Sequence, residues 1–177
     1  GLPPWEVVQL LNDYFDSMSG PVHRHGGEVL KFIGDGILAI FPIKDDLDRD
    51  RACVTALKAA QESLEELKLL NERRSALSKP PLEVGIALHI GSVMYGNVGA
   101  ADRLDFTVTG PSVNLVSRIE TLCRDLHYRL LTSAPFASPC GSTLQSIGLH
   151  RLRGVSAPQE IFTLPEFVDH QSEMASV

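Results

Sequence analysis

Glu28-Val29-Leu30-Lys31-Phe32-Ile33-Gly34-Asp35-Gly36-Ile37-Leu38-Ala39-Ile40-Phe41 reads as two apolar strands folded back about a tight turn. The expected strands are Glu28 to Ile33 and Ile37 to Phe41, with Gly34, Asp35 and Gly36 as the turn. Working upstream, Val8, Leu11, Phe15, Met18 and Val22 recur at helical spacing behind Pro3 and Pro4, so a helix with one buried face precedes the hairpin. Gly20 and Pro21 are expected to kink or interrupt it, and Gly26 and Gly27 to end it.

Downstream, Cys53, Leu57, Ala60, Leu64 and Leu67 place a second helix from about Asp46 to Arg74, with Glu62, Glu65, Glu66 and Lys68 on its wet side. After Lys79-Pro80-Pro81, the alternation of Leu82, Val84, Ile86, Leu88 and Ile90 has the period of a half-buried strand, followed by another over Ser92 to Val98. Leu104 to Thr109 reads as a strand ended by Gly110 and Pro111. Val113, Val116, Ile119, Leu122 and Leu126 then mark a third helix. Tyr128 to Thr132 and Glu160 to Leu164 complete the strands. Residues 1–165 are expected to form one domain and 166–177 a loosely held tail. Segregated hairpins and helices give an α+β fold, with helices packed on one face of an antiparallel-rich sheet.

The 177 residues, 44% hydrophobic and 21% charged, suit one sizeable core. A net charge of −6 argues against binding a nucleic-acid polymer, which would need an excess of Lys and Arg on one face. A single nucleotide is compatible with it. Cys53, Cys123 and Cys140 are odd in number and lack CxxC spacing, so neither a disulfide framework nor a zinc site is indicated, and a reducing cytoplasmic setting is expected. No apolar run reaches the roughly 20 residues a bilayer span needs, and no signal segment opens the chain. Gly1 is not an initiating Met, and a piece cut from something longer is expected.

Chemistry concentrates in two stretches. In the first, the bland role of Asp35 is turn chemistry and that of Lys31 is a lysine snorkelling from a strand edge. Against this, flanking apolar strands would hold the carboxylate rigidly, and small glycines would let a hard ion and phosphate oxygens approach. Magnesium binds one or two carboxylates and takes its other ligands from water and phosphate. An ammonium only donates hydrogen bonds and suits an acceptor on a purine. In the second, Asp105 to Glu120, Asn114 and Arg118 are four apart and share a helix face. That face is either a solvated surface or an amide and a guanidinium available to a sugar and to phosphate oxygens.

Together HGGEVLKFIGDG, GIALHIGSVMYGNVG and FTVTGPSVNLVSRIE, in that order, resemble the catalytic domain of class III adenylate and guanylate cyclases, the bacterial adenylate cyclase branch in particular. The resemblance runs from about Trp5 to Leu164. It implies a ferredoxin-like sheet and conversion of ATP to cyclic AMP and pyrophosphate, with two magnesium or manganese ions assisting in-line attack of the ribose 3′-hydroxyl on the α-phosphate. Such ion pairs sit about 3.5–4 Å apart. By the same resemblance Asp35 is a metal ligand, Lys31 and Thr107 select the base in the ATP-using pattern, Asn114 orients the ribose and Arg118 stabilises the transition state. Phe32, Ile33 and Gly34 fall with the substrate-binding positions. Arg153, in LHRLRGV, stands where the family has a lysine that contacts the triphosphate, and a fork there replaces a point charge. The family works as a head-to-tail dimer whose sites form between two chains, and a regulatory domain is expected elsewhere in the full-length chain.

One family feature has no match. The first metal aspartate belongs to a strand of the form Phe-x-Asp-x-x-Gly-Phe-Thr ahead of the first helix, and Asp13, Asp16, Asp102 and Asp105 occupy no suitable pattern to replace it. The piece alone is therefore expected to hold an incomplete metal site. His23 and His25 read as solvated helix-end histidines, His89 as structural and the cysteines as core filler. Two alternatives stay open: a non-catalytic cyclase-like nucleotide-binding or regulatory module, and a guanylate cyclase.

Overall fold

The structure, a computed structural model, describes residues 3–100 and 103–168, with the backbone alone at residues 46, 97–100 and 103–107. The chain forms two compact units, Gly1–Glu83 and Val84–Val177. Its strands lie in a hairpin, a four-stranded sheet and a separate two-stranded ribbon among the described residues.

The first unit pairs helices α1 (Pro4–Arg24) and α2 (Arg49–Ala76) with a hairpin of β1 (Glu28–Ile33) and β2 (Gly36–Ile40). Proline at the first helical position fits α1, since the missing N–H would have had no partner there. The two helices approach closely because α2 presents small side chains, Cys53, Ala56, Ala59, Ala60 and Ser63, all buried. Ser63 Oγ donates to Met18 O at 3.2 Å, tying the helices together at that seam. The expected break at Gly20-Pro21 does not occur, and α1 runs on to Arg24. Pro21 sits in the final turn with its ring buried, so packing offsets the one helical hydrogen bond it cannot donate.

Two glycines then end the helix. Gly26 takes φ +78°, and the Gly27 N–H reaches Val22 O at 2.8 Å while the Gly26 N–H reaches His23 O at 3.0 Å, a paired closure that needs the left-handed residue. Gly27 is squeezed: a Cβ there would stand 2.8 Å from both Phe41 Cζ and Val22 Cγ1. The hairpin pairs Ile33 with Gly36, so its loop is the two residues Gly34 and Asp35. Its second strand begins one residue earlier than the sequence pattern indicated.

In the second unit the sheet order is β3 (Ile86–Leu88), β6 (Leu130–Ser133), β8 (Gln159–Thr163), β7 (Gln145–His150), with β3 parallel to β6 and the other pairs antiparallel. Helix α3 (Pro111–Leu126) lies on it, its Ile119 and Cys123 packed with Leu131, Leu152 and Ile161. The ribbon of β4 (Met94–Ala100) and β5 (Arg103–Thr109) precedes that helix. A short helix α4 (Ala134–Ala137) and a 3-10 segment at Ser138–Thr143 lead into β7.

The strand expected from Leu82 to Ile90 shortens to Ile86–Leu88. Leu82 is taken by a side chain instead: Asn71 Nδ2 donates to Leu82 O at 2.9 Å and Asn71 Oδ1 accepts from Leu82 N at 2.7 Å. Strand β7 and the short helices escaped the sequence pattern, because β7 is an edge strand with four of its six residues exposed and only Ile147 and Leu149 apolar. Residues 165–168 form a helical turn, and the remainder of the expected tail, 169–177, lies outside the described residues. Among the described residues no helix is long and apolar enough to cross a membrane.

Desolvation shifts two side chains in this unit, Cys123 on α3 and His89 just beyond β3. Burial pushes the Cys123 thiol up to about 12, so it stays protonated and unreactive at neutral pH, as expected for core filler. His89, half-buried, has its pKa lowered by desolvation, and its Nδ1 lies 2.8 Å from Ser133 Oγ.

Two outcomes are expected. Gly27→Ala should destabilise the fold by about 1–3 kcal/mol, as overpacking does, read as a lower urea midpoint at unchanged slope. For His89 the folded pKa lies below the unfolded 6.5, so the unfolded chain binds the extra proton and stability falls as pH drops below 6.5 toward the folded value. Urea midpoints from pH 7.5 to 5 should therefore fall less steeply in His89→Asn than in the native chain. Parallel slopes would remove His89 as a source of the acid loss.

Candidate active site

Asp35 occupies the exposed second position of the two-residue hairpin loop. Gly34 before it has φ +62°, the conformation that a two-residue hairpin with glycine first requires. The tip conformation thus has a local cause, and the Asp35 side chain is exposed between two glycines.

The hairpin is clasped to α1 by one aromatic contact, Phe15 to Phe32, with ring centroids 4.3 Å apart. Because side chains alternate along a strand, Lys31 and Ile33 stand on the face opposite Phe32. The register slips between Val29 and Lys31, so a bulge at Leu30 immediately precedes the lysine. Bulges re-aim the side chains beside them, and this one sets the face on which Lys31 emerges.

At the base of the hairpin, α1 is fastened to α2 by charge. Arg24 Nε donates to Glu62 Oε1 at 2.8 Å, its Nη2 reaches Glu66, and His25 Nε2 lies 2.6 Å from Glu62 Oε2. The Glu62 carboxyl is held below its usual range by His25 first and Arg24 second. His25 is therefore partly buried and partnered, not the solvated histidine its position implied, whereas His23 is exposed. The legible signal was the pair Glu62 and Glu66, one helical turn apart, which match adjacent basic residues at a helix end.

On α3, Ile119 and Cys123 point into the core and Asn114 and Arg118 are exposed. Arg118 forms no ion pair with any described residue, while the neighbouring Arg124 is paired to Glu120 at 3.4 Å. A solvated guanidinium and an amide thus share one helix face, directed by the apolar face behind them. The helix begins at Pro111 after Gly110, whose φ of +130° turns the chain out of β5. Thr107 lies in β5 opposite Gly96, and its side chain is outside the described residues. Arg153 is exposed in a turn closed by the Val155 N–H on Leu152 O at 3.0 Å. Lys31, Phe32, Ile33, Gly34 and Asp35 therefore gather on one hairpin of the first unit, and Asn114 and Arg118 on one helix face of the second.

For a divalent ion, Asp35 supplies a hard oxygen donor at an open tip, which fits magnesium or manganese when water and phosphate complete the shell. Among the described residues no group of three or more His, Cys, Asp or Glu gathers as a ready-made metal cage.

Residues 2–151 match the sequence model of the adenylate and guanylate cyclase catalytic domain. The chain is 32% identical to adenylate cyclase 1 of Rhizobium meliloti over 92% of its own length and 24% of that protein's. It is 38% identical to the adenylate cyclase of Anabaena cylindrica over 73% of its length and 25% of that protein's. The chain thus spans about a quarter of the curated relatives it matches. Among solved structures, the adenylyl cyclase CyaB from P. aeruginosa superposes with a TM-score of 0.81 at 26% identity, covering 92% of this chain and 84% of that one. The guanylyl cyclase Cya2 superposes with a TM-score of 0.78 at 31% identity, covering 93% and 82%. With motif order, sequence similarity and fold in agreement, the chain belongs to the class III adenylate and guanylate cyclase catalytic-domain family.

Proposed function

We propose that this domain is an adenylate cyclase, forming 3′,5′-cyclic AMP and pyrophosphate from ATP. The observation that carries the reading is the joint retention of Asp35 on an exposed hairpin tip and of Asn114 with Arg118 on one exposed helix face. Named adenylate cyclases at 32% and 38% identity support ATP as the substrate. Lys31 supports it independently, because an ammonium offers donors only and complements the acceptor nitrogens of adenine.

In the reaction the ribose 3′-oxygen bonds to the α-phosphorus, the bond from that phosphorus to the bridging oxygen breaks, and pyrophosphate leaves. The 3′-hydroxyl proton passes to solvent. A divalent ion at Asp35, magnesium or manganese, would neutralise phosphate charge and acidify that hydroxyl when bound. Arg118 is suited to the charge that grows on the phosphate oxygens, since its planar fork gives two parallel hydrogen bonds. Asn114, one turn earlier, is assigned to the ribose through its amide. Thr107 is assigned with Lys31 to the base, and Phe32, Ile33 and Gly34 to the substrate beside it. Arg153 is assigned to the triphosphate.

The assembly is proposed to be a head-to-tail homodimer in which Asp35 of one chain serves one site while Lys31, Thr107, Asn114 and Arg118 of the same chain serve the other. A lone chain would then turn over nothing. Regulation is assigned to parts of a longer chain, with the catalytic domain in the cytoplasm. A second reading, guanylate cyclase, draws on the 31% identity to Cya2.

Cyclic AMP and cyclic GMP formation by the full-length protein with manganese decides between them. ATP should be preferred, and Lys31→Glu should weaken that preference. Arg118→Ala should lower kcat by about 100- to 1000-fold, the usual cost of removing one transition-state donor, with a smaller change in KM. Asp35→Ala should abolish the metal-dependent rate; normal turnover in that variant would overturn the metal assignment. Nucleotide binding without turnover of either substrate would favour a binding module.

A further inference from the structure

We propose that His89 is a positioning residue for helix α3, acting on Asn114 and Arg118 through a strut that runs from Ser133 through His89 and Gly91 to Ser112. This rests on the assignment of Asn114 and Arg118 to the chemistry given above.

The strut starts where a backbone ladder stops. Strands β3 and β6 are paired at Ile86 with Leu130, Ala87 with Leu131 and Leu88 with Thr132. The next residues along the two strands, His89 and Ser133, are joined by their side chains instead, Nδ1 to Oγ at 2.8 Å. Ser133 is only 1% exposed, so it offers a fixed anchor in the sheet. That burial also bears on an alternative role. A serine beside a histidine invites a nucleophilic reading, but a hydroxyl so enclosed meets no substrate, which leaves positioning as its use.

The other edge of the ring meets Gly91. A Cβ on Gly91 would stand 3.0 Å from His89 Nε2, would overlap Ser112 Oγ, and would come within 3.0 Å of Ser112 Cβ. Gly91 is thus wedged between the imidazole and the second residue of α3. A looser contact runs alongside, since a Cβ on Gly110 would lie 3.9 Å from Ser92 O and from Met94 N. Ser112 precedes Asn114 by two residues and Arg118 by six, so a shift at the start of the helix is carried directly to both. The apolar anchors Ile119 and Cys123 fix the far half of the helix, and the strut fixes the near half.

The test measures kcat and KM for ATP, melting temperature, and the amide resonances of residues 112–118 in the full-length protein. His89→Leu should move those resonances and lower kcat by about 10- to 100-fold with KM little changed, the scale of a catalytic group displaced by about an ångström. His89→Gln keeps a group able to bond Ser133 and should recover most of that loss. Gly91→Ala, whose added Cβ would meet both His89 and Ser112, should reproduce the defect, which keeps the test decisive if His89→Leu does not fold. Native resonances and native kcat in His89→Leu, or in Gly91→Ala, would overturn the proposal. Native protein without cyclase activity would instead sink the functional reading, and the resonance arm would still decide the strut.

Discussion

Commitment of one face of α3 to the sheet is the constraint on which the candidate chemistry depends. Ile119 and Cys123, one turn apart, are inaccessible against Leu131 and Ile161. Full burial of a side chain such as Ile119 contributes about 1.5–3 kcal/mol, enough that rotating the helix to hide Arg118 instead would be prohibitive. The close approach is visible at Gly85, where a Cβ would stand 2.7 Å from Cys123 Cβ. A helix pressed this tightly on one side has only one orientation for its other side, and that side carries Asn114 and Arg118.

The hairpin obeys a similar logic with less apolar area behind it. Two strands alone are marginal in water, so β1 and β2 need a partner surface. In the first unit that surface is α1, through Phe15 and Phe32, and the tight junction at Gly27 leaves the chain little freedom in how it leaves the helix. The Arg24, His25, Glu62 and Glu66 cluster then locks the end of α1 to α2. Exposed pairs of this kind contribute little stability one by one. Their value here is directional, because they hold the last residues before the hairpin.

Much of this was legible in the residues and some was not. Helices α2 and α3 follow from apolar periodicity because each buries one face, and burial is what periodicity records; the hairpin, whose strand residues are half-buried or exposed, follows instead from two apolar runs about Gly34, Asp35 and Gly36. The exposure of Asn114 and Arg118 follows from the same pattern by subtraction. Pro21 misled because a sequence shows the missing N–H but not the packing that offsets it. The strand from Leu82 was lost to Asn71, a side chain that satisfies both backbone groups of one residue, and alternation carries no sign of such a competitor. Edge strand β7, with mostly exposed residues, has no buried face to announce it. The partnership of His89 with Ser133 joins residues 44 apart and could only be seen once β3 and β6 were paired.

Charge completes the argument, because the chain carries a net −6 and its proposed substrate is a polyanion. A uniform field of that sign would repel ATP, yet screening at physiological salt confines exposed charges to about 8 Å. What matters to a phosphate is therefore the nearest few side chains and any bound cation, not the total. Arg118 suits this situation: exposed and unpaired among the described residues, it has no carboxylate to surrender before it meets a phosphate. Arg124, two turns nearer the helix end, is already engaged by Glu120 and would have to break that pair. The same helix thus carries one arginine spent on its own surface and one held in reserve, and the difference lies in which residue stands one turn away.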